Sequence, residues 1–289
     1  NDGSMLNLMK TKVKKRVNFD AAVGVDSVFS SNDYERVEGL FNAAEYKSHG
    51  FENPKLIYSV AMFYHLNNPV HFCKEVKSIM NEDTVWCIQM TYLGTMLQDN
   101  IYDNIVHEHV AYYSLKSLSF LFDSLGMEII KAKVVDSYGG SLRVHVVKKR
   151  LKKIKLDSDV IAYEKKYEIN NLSSVLAFNQ RIHTIKVATM NIVNHIIEDD
   201  GKLVALGAST KGNMICQFVG LGADKIKYIL DNNKKKIGLI TTGTEIPIVE
   251  EDQFLSEVPK YILILPYYYN DFFIELIRKK LSKGEKSYL

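Results

Sequence analysis

Apolar residues in the first half of the chain form short runs that alternate with stretches of helical spacing. Runs rich in β-branched and aromatic residues predict strands at 22–26, 55–60, 84–90, 127–135 and 141–147. Apolar positions three and four apart predict helices at 70–80 and 115–125, the second capped by Ser114 and stopped by Gly126. This alternation is typical of a mostly parallel α/β sheet with helices on both faces.

Residues 151–200 show helical spacing almost throughout, with no Pro or Gly, and predict a helical spacer. A second alternation follows, with strands predicted at 202–208, 228–231 and 261–266 and helices at 214–220 and 271–281. We therefore predict an α/β domain at 1–150, the spacer at 151–200 and a small Rossmann-like domain at 201–289. A length of 289 residues suits two compact domains.

Composition and charge narrow the class of protein. With 46% hydrophobic and 25% charged residues, the chain is neither disordered nor a disulfide scaffold. The net charge is +3, without the basic surplus typical of a nucleic-acid-binding protein. We interpret the one dense basic run, at 148–155, as a solvated connector. The three cysteines are scattered and no apolar stretch approaches the ~20 residues that span a bilayer, so we expect a soluble, cytoplasmic protein without a membrane partner.

The first candidate for ligand binding is the pair formed by the Asn1-Asp2-Gly3-Ser4 turn and Asp26. In a nucleotide-binding βαβ unit, a glycine turn follows the first strand, and an acid about 20 residues further on binds the ribose hydroxyls. Gly3 and Asp26 fit that spacing, although a turn glycine and a surface aspartate would look the same. We expect the first strand of such a unit to precede Asn1, in which case residues 1–289 alone would bind the nucleotide poorly.

The densest chemical cluster is Val106-His107-Glu108-His109. Three interpretations remain open for it: acid–base chemistry by a histidine, a zinc site formed by His107 and His109 with His65, or a structural turn. A histidine with a pKa near 6.5 suits removal of a proton from the carbon beside a carbonyl group.

A second candidate binding turn, 209–213, follows a predicted strand and opens a helix. Helix N-terminal amides together with Lys211 would favour an anion such as a phosphate. The order of residues is not that of a P-loop, and a purely structural turn fits the pattern equally well.

Five segments that recur in order over nearly the whole chain together resemble the sugar C-methyltransferases of deoxysugar and surface-polysaccharide pathways. They are Asn1-Asp2-Gly3-Ser4, the His65 segment, His107-Glu108-His109 with Tyr113-Ser114-Leu115, Gly139-Gly140-Ser141-Leu142-Arg143-Val144, and 207–213 with Asp231 and 243–248. The resemblance implies S-adenosylmethionine (SAM) as cofactor, a Rossmann-type methyltransferase domain, and a C-terminal α/β domain that helps to hold a nucleotide sugar. That family also carries a small N-terminal zinc domain with clustered cysteines. Nothing in this chain matches it, and no metal is expected here.

The resemblance also implies roles for individual residues. The SAM-binding residues would be Asn1, Asp2, Gly3, Asp26 and Ala61, and the acid–base residues His109 and His65 with Glu108 beside them. The substrate-binding residues would be Tyr113, Ser141, Arg143, Lys211 and Asn213. The implied reaction removes the proton next to the keto group of a nucleotide-linked 4-keto sugar, and the enolate carbon then takes the methyl group.

Three departures from the family pattern keep other functions open. Val106 stands where the family usually has Tyr, Tyr138 where it usually has His, and Ala61 where it often has Asn. The alternatives are an O- or N-methyltransferase on another acceptor, and a non-catalytic nucleotide-binding protein whose methyltransferase domain has decayed.

Overall fold

In the computed structural model, residues 4–9, 13, 15–21, 34–137, 139–150, 156, 158–255 and 259–285 are described. Helices and strands alternate along these ranges. The helices are α1 (Ser4–Leu8), α2 (Ala43–Ser48), α3 (Pro69–Ile79), α4 (Leu93–Gln98), α5 (Leu115–Ser124), α6 (Val160–Lys166), α7 (Leu172–Asp200), α8 (Thr210–Val219) and α9 (Asn270–Glu285). The strands are β1 (Val17–Asp20), β2 (Glu35–Glu38), β3 (Leu56–Val60), β4 (Val85–Thr91), β5 (Met127–Val135), β6 (Ser141–Lys148), β7 (Leu203–Leu206), β8 (Ile226–Asp231), β9 (Ile248–Glu250) and β10 (Ile262–Ile264).

The first half contains a four-stranded sheet in the order β3–β4–β6–β5 and a two-stranded parallel sheet, β1–β2. Strands β3 and β4 are parallel, whereas β6 is antiparallel to both β4 and β5. The four-stranded sheet thus differs from the mostly parallel arrangement expected, because the short connection at 136–140 can join only antiparallel neighbours. The strand predicted at 22–26 lies outside the described residues, and β1 ends six residues before Asp26.

Local side-chain caps explain where the helices of this half begin and end. Asn68 Oδ1 accepts a hydrogen bond from the His71 amide at the start of α3, where Pro69 opens the helix. Ser114 Oγ accepts from the Ser117 amide at the start of α5, and Gly126 adopts a φ of +66° just after it ends. The predicted cap and stop of this helix are confirmed.

The first hydrophobic core lies between the four-stranded sheet and helices α3 and α5. Trp86 and Ile88 of β4, Val144 of β6, and Phe122 of α5 are fully buried in it. Phe63, just after β3, joins the same core and stacks edge-on against Trp86. The chain segment that follows β3 is therefore anchored at the carboxyl end of the sheet.

The second half forms a parallel sheet in the order β10–β7–β8–β9. Helix α8 begins at Thr210, four residues earlier than predicted, because Ser209 Oγ accepts from the Gly212 amide and caps the helix there. The predicted anion-binding turn is thus the first turn of α8. The sequence pattern does not predict strands β1, β2 and β9.

The helical segment between the two sheets packs against both halves. Val160 and Tyr163 of α6 contact the first core, and Phe178 and Ile182 of α7 pack with α4 in a cluster that also includes Phe218 of α8. No helix within the described ranges combines the length and the apolar character needed to cross a membrane.

Candidate active site

Two histidines predicted to share a cleft are neighbours in the structure. His65 ends a short 3-10 turn after β3. His109 lies after β4, in the segment between helices α4 and α5. Their rings are 5.2 Å apart in an edge-to-face arrangement, and Tyr64 lies 4.3 Å from the ring of His109. The Val110 amide donates to the Tyr64 carbonyl at 3.0 Å and holds the two segments together.

The hydrogen bond made by His65 determines where its proton lies. Its Nδ1 is 2.7 Å from the carbonyl oxygen of Glu108, and a carbonyl oxygen can only accept. Nδ1 of neutral His65 therefore carries the proton, which makes Nε2 an acceptor. An uncharged His65 in this geometry has no proton at Nε2 to donate to a substrate oxygen.

The surroundings of His109 favour its uncharged form. Burial is the largest influence and lowers its pKa below the usual value; the charges of His65 and Lys211 act in the same direction. The carbonyl of Asn104 and the carboxylate of Glu108 oppose this shift. A histidine that stays neutral at pH 7 is a competent proton acceptor.

Glu108 and His107 are more exposed than His109. The side chain of His107 is 87% exposed and lies 3.9 Å from the Glu108 carboxylate. Within the described part of the chain, no three His, Cys, Asp or Glu side chains are arranged to hold a metal ion. The geometry thus does not bring His107 together with His65 and His109 as the zinc interpretation requires.

A buried carboxylate on the same loop as His109 connects the two halves of the molecule. Asp103 is 1% exposed, and its Oδ1 accepts from the hydroxyls of Tyr267 at 3.1 Å and Tyr268 at 2.6 Å. Both tyrosines follow β10 of the second sheet. Burial and the nearby carboxylate raise the pKa of both phenols, so they remain protonated donors.

Lys211 enters this cluster from the first turn of α8. Its Nζ is buried, 3.8 Å from Asp103 Oδ2 and 4.6 Å above the ring of Tyr268. Burial lowers the pKa of the ammonium group, and Asp103 opposes that shift. The lysine predicted to bind a phosphate therefore lies between the Asp103 loop of the first half and the Tyr268 turn of the second.

Four buried polar atoms of this cluster have no hydrogen-bond partner among the described residues. They are Asp103 Oδ2, Asn104 Oδ1, His109 Nδ1 and Lys211 Nζ. Buried polar atoms are normally paired, which makes these four atoms a candidate site for a polar ligand.

The other predicted substrate-binding residues make contacts elsewhere. Tyr113 packs its ring 5.3 Å from Phe63, and Ser141 Oγ donates to the Ser137 carbonyl. Arg143 donates twice to Gln89 Oε1 within the sheet, and Asn213 Nδ2 donates to the Thr242 carbonyl. These contacts hold the four side chains within their own halves and do not tie them to the Asp103–His109 cluster.

The predicted cofactor residues are only partly described. Asn1, Asp2, Gly3 and Asp26 lie outside the described residues. Ala61 follows β3 with a left-handed φ of +54°, and its amide donates to the Gln89 carbonyl at 2.9 Å. Asp20, which the sequence pattern does not single out, occupies the last position of β1, where an acid can bind a ribose.

Some of the site residues that the sequence analysis missed had a signal in the sequence. Asp103 and Asn104 are adjacent polar residues just before the histidine cluster, and Tyr267–Tyr269 follow a predicted strand directly. That these two segments meet depends on how the halves pack, which local spacing does not reveal.

Two family models match the chain. Residues 136–288 match the model of the C-methyltransferase C-terminal domain, and residues 1–132 match a methyltransferase domain. The chain belongs to the C-methyltransferase family. The predicted class, a SAM-dependent C-methyltransferase with an α/β fold, is confirmed.

Individual relatives share little sequence identity with this chain. The C-methyltransferase NovU of Streptomyces niveus is 26% identical, across 98% of this chain and 69% of NovU. The structure of LepI in complex with SAM has a TM-score of 0.42 at 8% identity, over 51% of this chain and 41% of LepI. Magnesium protoporphyrin IX methyltransferase from Synechocystis PCC 6803, with bound SAH, has a TM-score of 0.39 at 8% identity, over 51% of this chain and 70% of that one.

The family match also changes how β6 is understood. In this C-methyltransferase the C-terminal match begins at residue 136 and so includes β6, yet β6 lies between β4 and β5 of the first sheet. The segment that belongs to the C-terminal family domain therefore completes the sheet of the other half.

Proposed function

We propose that this C-methyltransferase acts on a nucleotide-linked keto sugar and that His109 is the base that forms the enolate. The observation that supports the proposal most directly is the half-buried His109, whose pKa is lowered and whose ring lies 5.2 Å from His65 beside an interface lined with unpartnered polar atoms. A carbonyl compound with several hydroxyl groups would satisfy such a mixture of donors and acceptors.

In the proposed reaction, neutral His109 takes the proton from the carbon beside the keto group. The two electrons of that C–H bond form the carbon–carbon double bond of the enolate. SAM would supply the methyl group to the enolate carbon, and the electron pair of the broken sulfur–methyl bond would remain on sulfur. Alignment of the two reactants accounts for much of the rate, because a positioned pair reacts as one molecule. Glu108 favours the protonated form of His109 after the transfer.

The described residues that fit SAM are Asp20 and Ala61, at the carboxyl ends of β1 and β3. The Asp20 carboxylate has the chemistry to accept from a ribose hydroxyl pair, and the small, exposed Ala61 permits close approach of a ligand to the backbone. Roles in SAM binding for Asn1, Asp2, Gly3 and Asp26 stay predictions, as does a cytoplasmic location.

The test uses a thymidine-diphosphate-linked 4-keto-6-deoxy sugar in deuterated water, with and without SAM. We expect His109→Asn to lower both the exchange of the proton next to the keto group and methyl transfer by ~10²–10⁴-fold. His107→Asn is the matched control, two positions away and 87% exposed, and should match wild type. Exchange at the wild-type rate by His109→Asn would move the base elsewhere, with His65 Nε2 as the next candidate.

The pH dependence follows from the direction of the His109 shift. Because its pKa is lowered in the folded protein, the neutral base persists below the ordinary value of 6.5. We therefore expect the acid-side decline of kcat/KM to be centred below pH 6.5. A decline centred above the ordinary histidine pKa would contradict the assignment.

A further inference from the structure

The cluster between the two halves contains a cation whose hydrogen-bonding capacity is unused. An ammonium group has three N–H donors, and Nζ of Lys211 makes no hydrogen bond to any described residue. Its contacts are the Asp103 carboxylate at 3.8 Å and the face of the Tyr268 ring at 4.6 Å. Burial lowers the pKa of this ammonium group, and the two contacts oppose that effect by favouring a positive charge; neither accepts a hydrogen bond from it.

Asp103 is arranged to hold that cation without occupying its donors. One carboxylate oxygen accepts from Tyr267 and Tyr268, which fixes the group in orientation. The other oxygen has no hydrogen-bond partner among the described residues and faces Lys211. If this buried ion pair served stability alone, we would expect the ammonium and the carboxylate to approach each other to hydrogen-bond distance.

The position of Lys211 relative to His109 gives this cation a chemical role. Lys211 Nζ lies 3.8 Å from Asp103, and the carbonyl of the adjacent Asn104 accepts from the hydroxyl of Tyr112, whose ring lies 6.5 Å from that of His109. His109 Nδ1 and Asn104 Oδ1 are likewise buried and unpartnered among the described residues, and the charge of Lys211 acts on His109. His65 cannot supply the same donor while neutral, since its Nδ1 proton is given to the Glu108 carbonyl. Among the described side chains around His109, the lysine is the positively charged donor.

We propose that Nζ of Lys211 donates a hydrogen bond to the acceptor's carbonyl oxygen and stabilises it as the enolate. The assignment rests on the proposed function. When His109 removes the proton, the C–H electron pair forms the carbon–carbon double bond and the carbonyl pair moves to oxygen, where the negative charge meets the ammonium. Donors aimed at a developing oxyanion are among the strongest contributions to catalysis.

The assignment makes the C-terminal half a contributor to chemistry as well as to substrate binding. Lys211 belongs to α8 of the second half, whereas His109 and Asp103 belong to the first. The reacting centre is thus complete only when the first turn of α8 and the Tyr267–Tyr269 turn are docked against the Tyr102–Asn104 turn.

The first test separates binding from chemistry in Lys211→Met, using the same keto sugar. We expect kcat and proton exchange to fall ~10²–10³-fold, as on loss of an oxyanion donor, with KM changed less than about threefold. Lys202→Met is the control, an exposed lysine of the same half that donates to the Ala223 carbonyl, and should match wild type. A raised KM with exchange at the wild-type rate under saturation would overturn the assignment in favour of phosphate binding.

Lys211→Met leaves the Asp103 carboxylate buried without its cation and could lose activity by failing to fold. A second variant controls for this outcome. Lys211→Met combined with Asp103→Asn removes both charges, and we expect this protein to fold and to show the same loss of exchange. Recovery of exchange in the double variant would overturn the role of the lysine as donor.

A third measurement needs no substrate. The ring of His109 is titrated by NMR in wild type and in Lys211→Met, and we expect its pKa to rise when the lysine charge is removed. An unchanged pKa would show that the lysine does not face the base. The outcomes are distinguishable: wild-type protein without exchange or methyl transfer refutes the proposed function, whereas an active wild type with an equally active Lys211→Met refutes only the assignment of Lys211.

Discussion

The parallel strands and the antiparallel hairpin of this molecule contribute differently to the candidate site. The carboxyl ends of β3 and β4 lead to His65 and to the excursion with Asp103 and His109, and those of β7 and β10 lead to Lys211 and Tyr268. By contrast, the predicted site residues on β6 bond within their own half: Arg143 to Gln89 and Ser141 to Ser137.

The difference follows from strand direction. Parallel strands deliver all their following loops to one edge, where side chains from distant positions in sequence can meet. In an antiparallel hairpin the second strand runs back across the sheet, so its side chains lie on the sheet faces and contact neighbouring strands. The turn before β6 is an exception, because Gly139 lies against the ring of Tyr268.

The largest effect is expected at Glu164, which anchors the carboxyl end of β4. This buried carboxylate accepts from the hydroxyl of Tyr92, from two amides at the start of α5, and from Asn170. We expect Glu164→Gln to lower the free energy of unfolding by ~2–3 kcal/mol, since buried donors lose a charged acceptor. Urea unfolding checks this, with exposed Glu168→Gln as the control expected within ~0.5 kcal/mol of wild type. Equal stability of both variants would show that β4 is held without Glu164.

A smaller effect is expected where the hairpin turn touches the site. A Cβ at Gly139 would lie 2.2 Å from Cε1 of Tyr268, and φ there is +84°. We expect Gly139→Ala to shift Tyr268, to lower the free energy of unfolding by about 2 kcal/mol and to reduce turnover about tenfold. Urea unfolding and the methyl-transfer rate measure the two effects.

Gly201→Ala separates backbone strain from this clash. Gly201 also has a positive φ, +76°, but an added Cβ meets nothing within 4 Å. Because φ of +76° with ψ of −124° is a backbone region essentially confined to glycine, the variant should lower the free energy of unfolding by about 1–3 kcal/mol through strain alone and leave turnover unchanged. Equal turnover in the two variants would show that the Gly139–Tyr268 contact does not support the site.

The smallest effect is expected at Arg143 on the hairpin itself. Its guanidinium bonds to Gln89 within the sheet rather than to the cluster around His109. We expect Arg143→Ala to change KM for the keto sugar less than about threefold, measured by methyl transfer. The reason is that a side chain bonded within the sheet makes no contact with the substrate that the variant could lose. A rise in KM of about tenfold or more would show that Arg143 binds the substrate, as the resemblance implies.

Much of the fold could be predicted from local pattern. The helices α3 and α5, the long α7 and the strands β4 to β8 follow from apolar periodicity and from caps such as Ser114. The pattern places the start of α8 too late because the first turn, Thr210–Asn213, is polar, and apolar spacing does not register a polar helix turn. The antiparallel direction of β6 also escapes prediction, since strand direction is a property of pairing.

Residue type and short spacing are enough to predict the alternation of helices and strands, the family, and the histidines as candidate acid–base residues. Three features of the site depend on packing instead: Asp103 meets Lys211 and Tyr268, His65 gives its Nδ1 proton to the Glu108 carbonyl, and burial lowers the pKa of His109. Burial and contacts between residues far apart in the chain are created by packing, and they set the charge and the donors of the site.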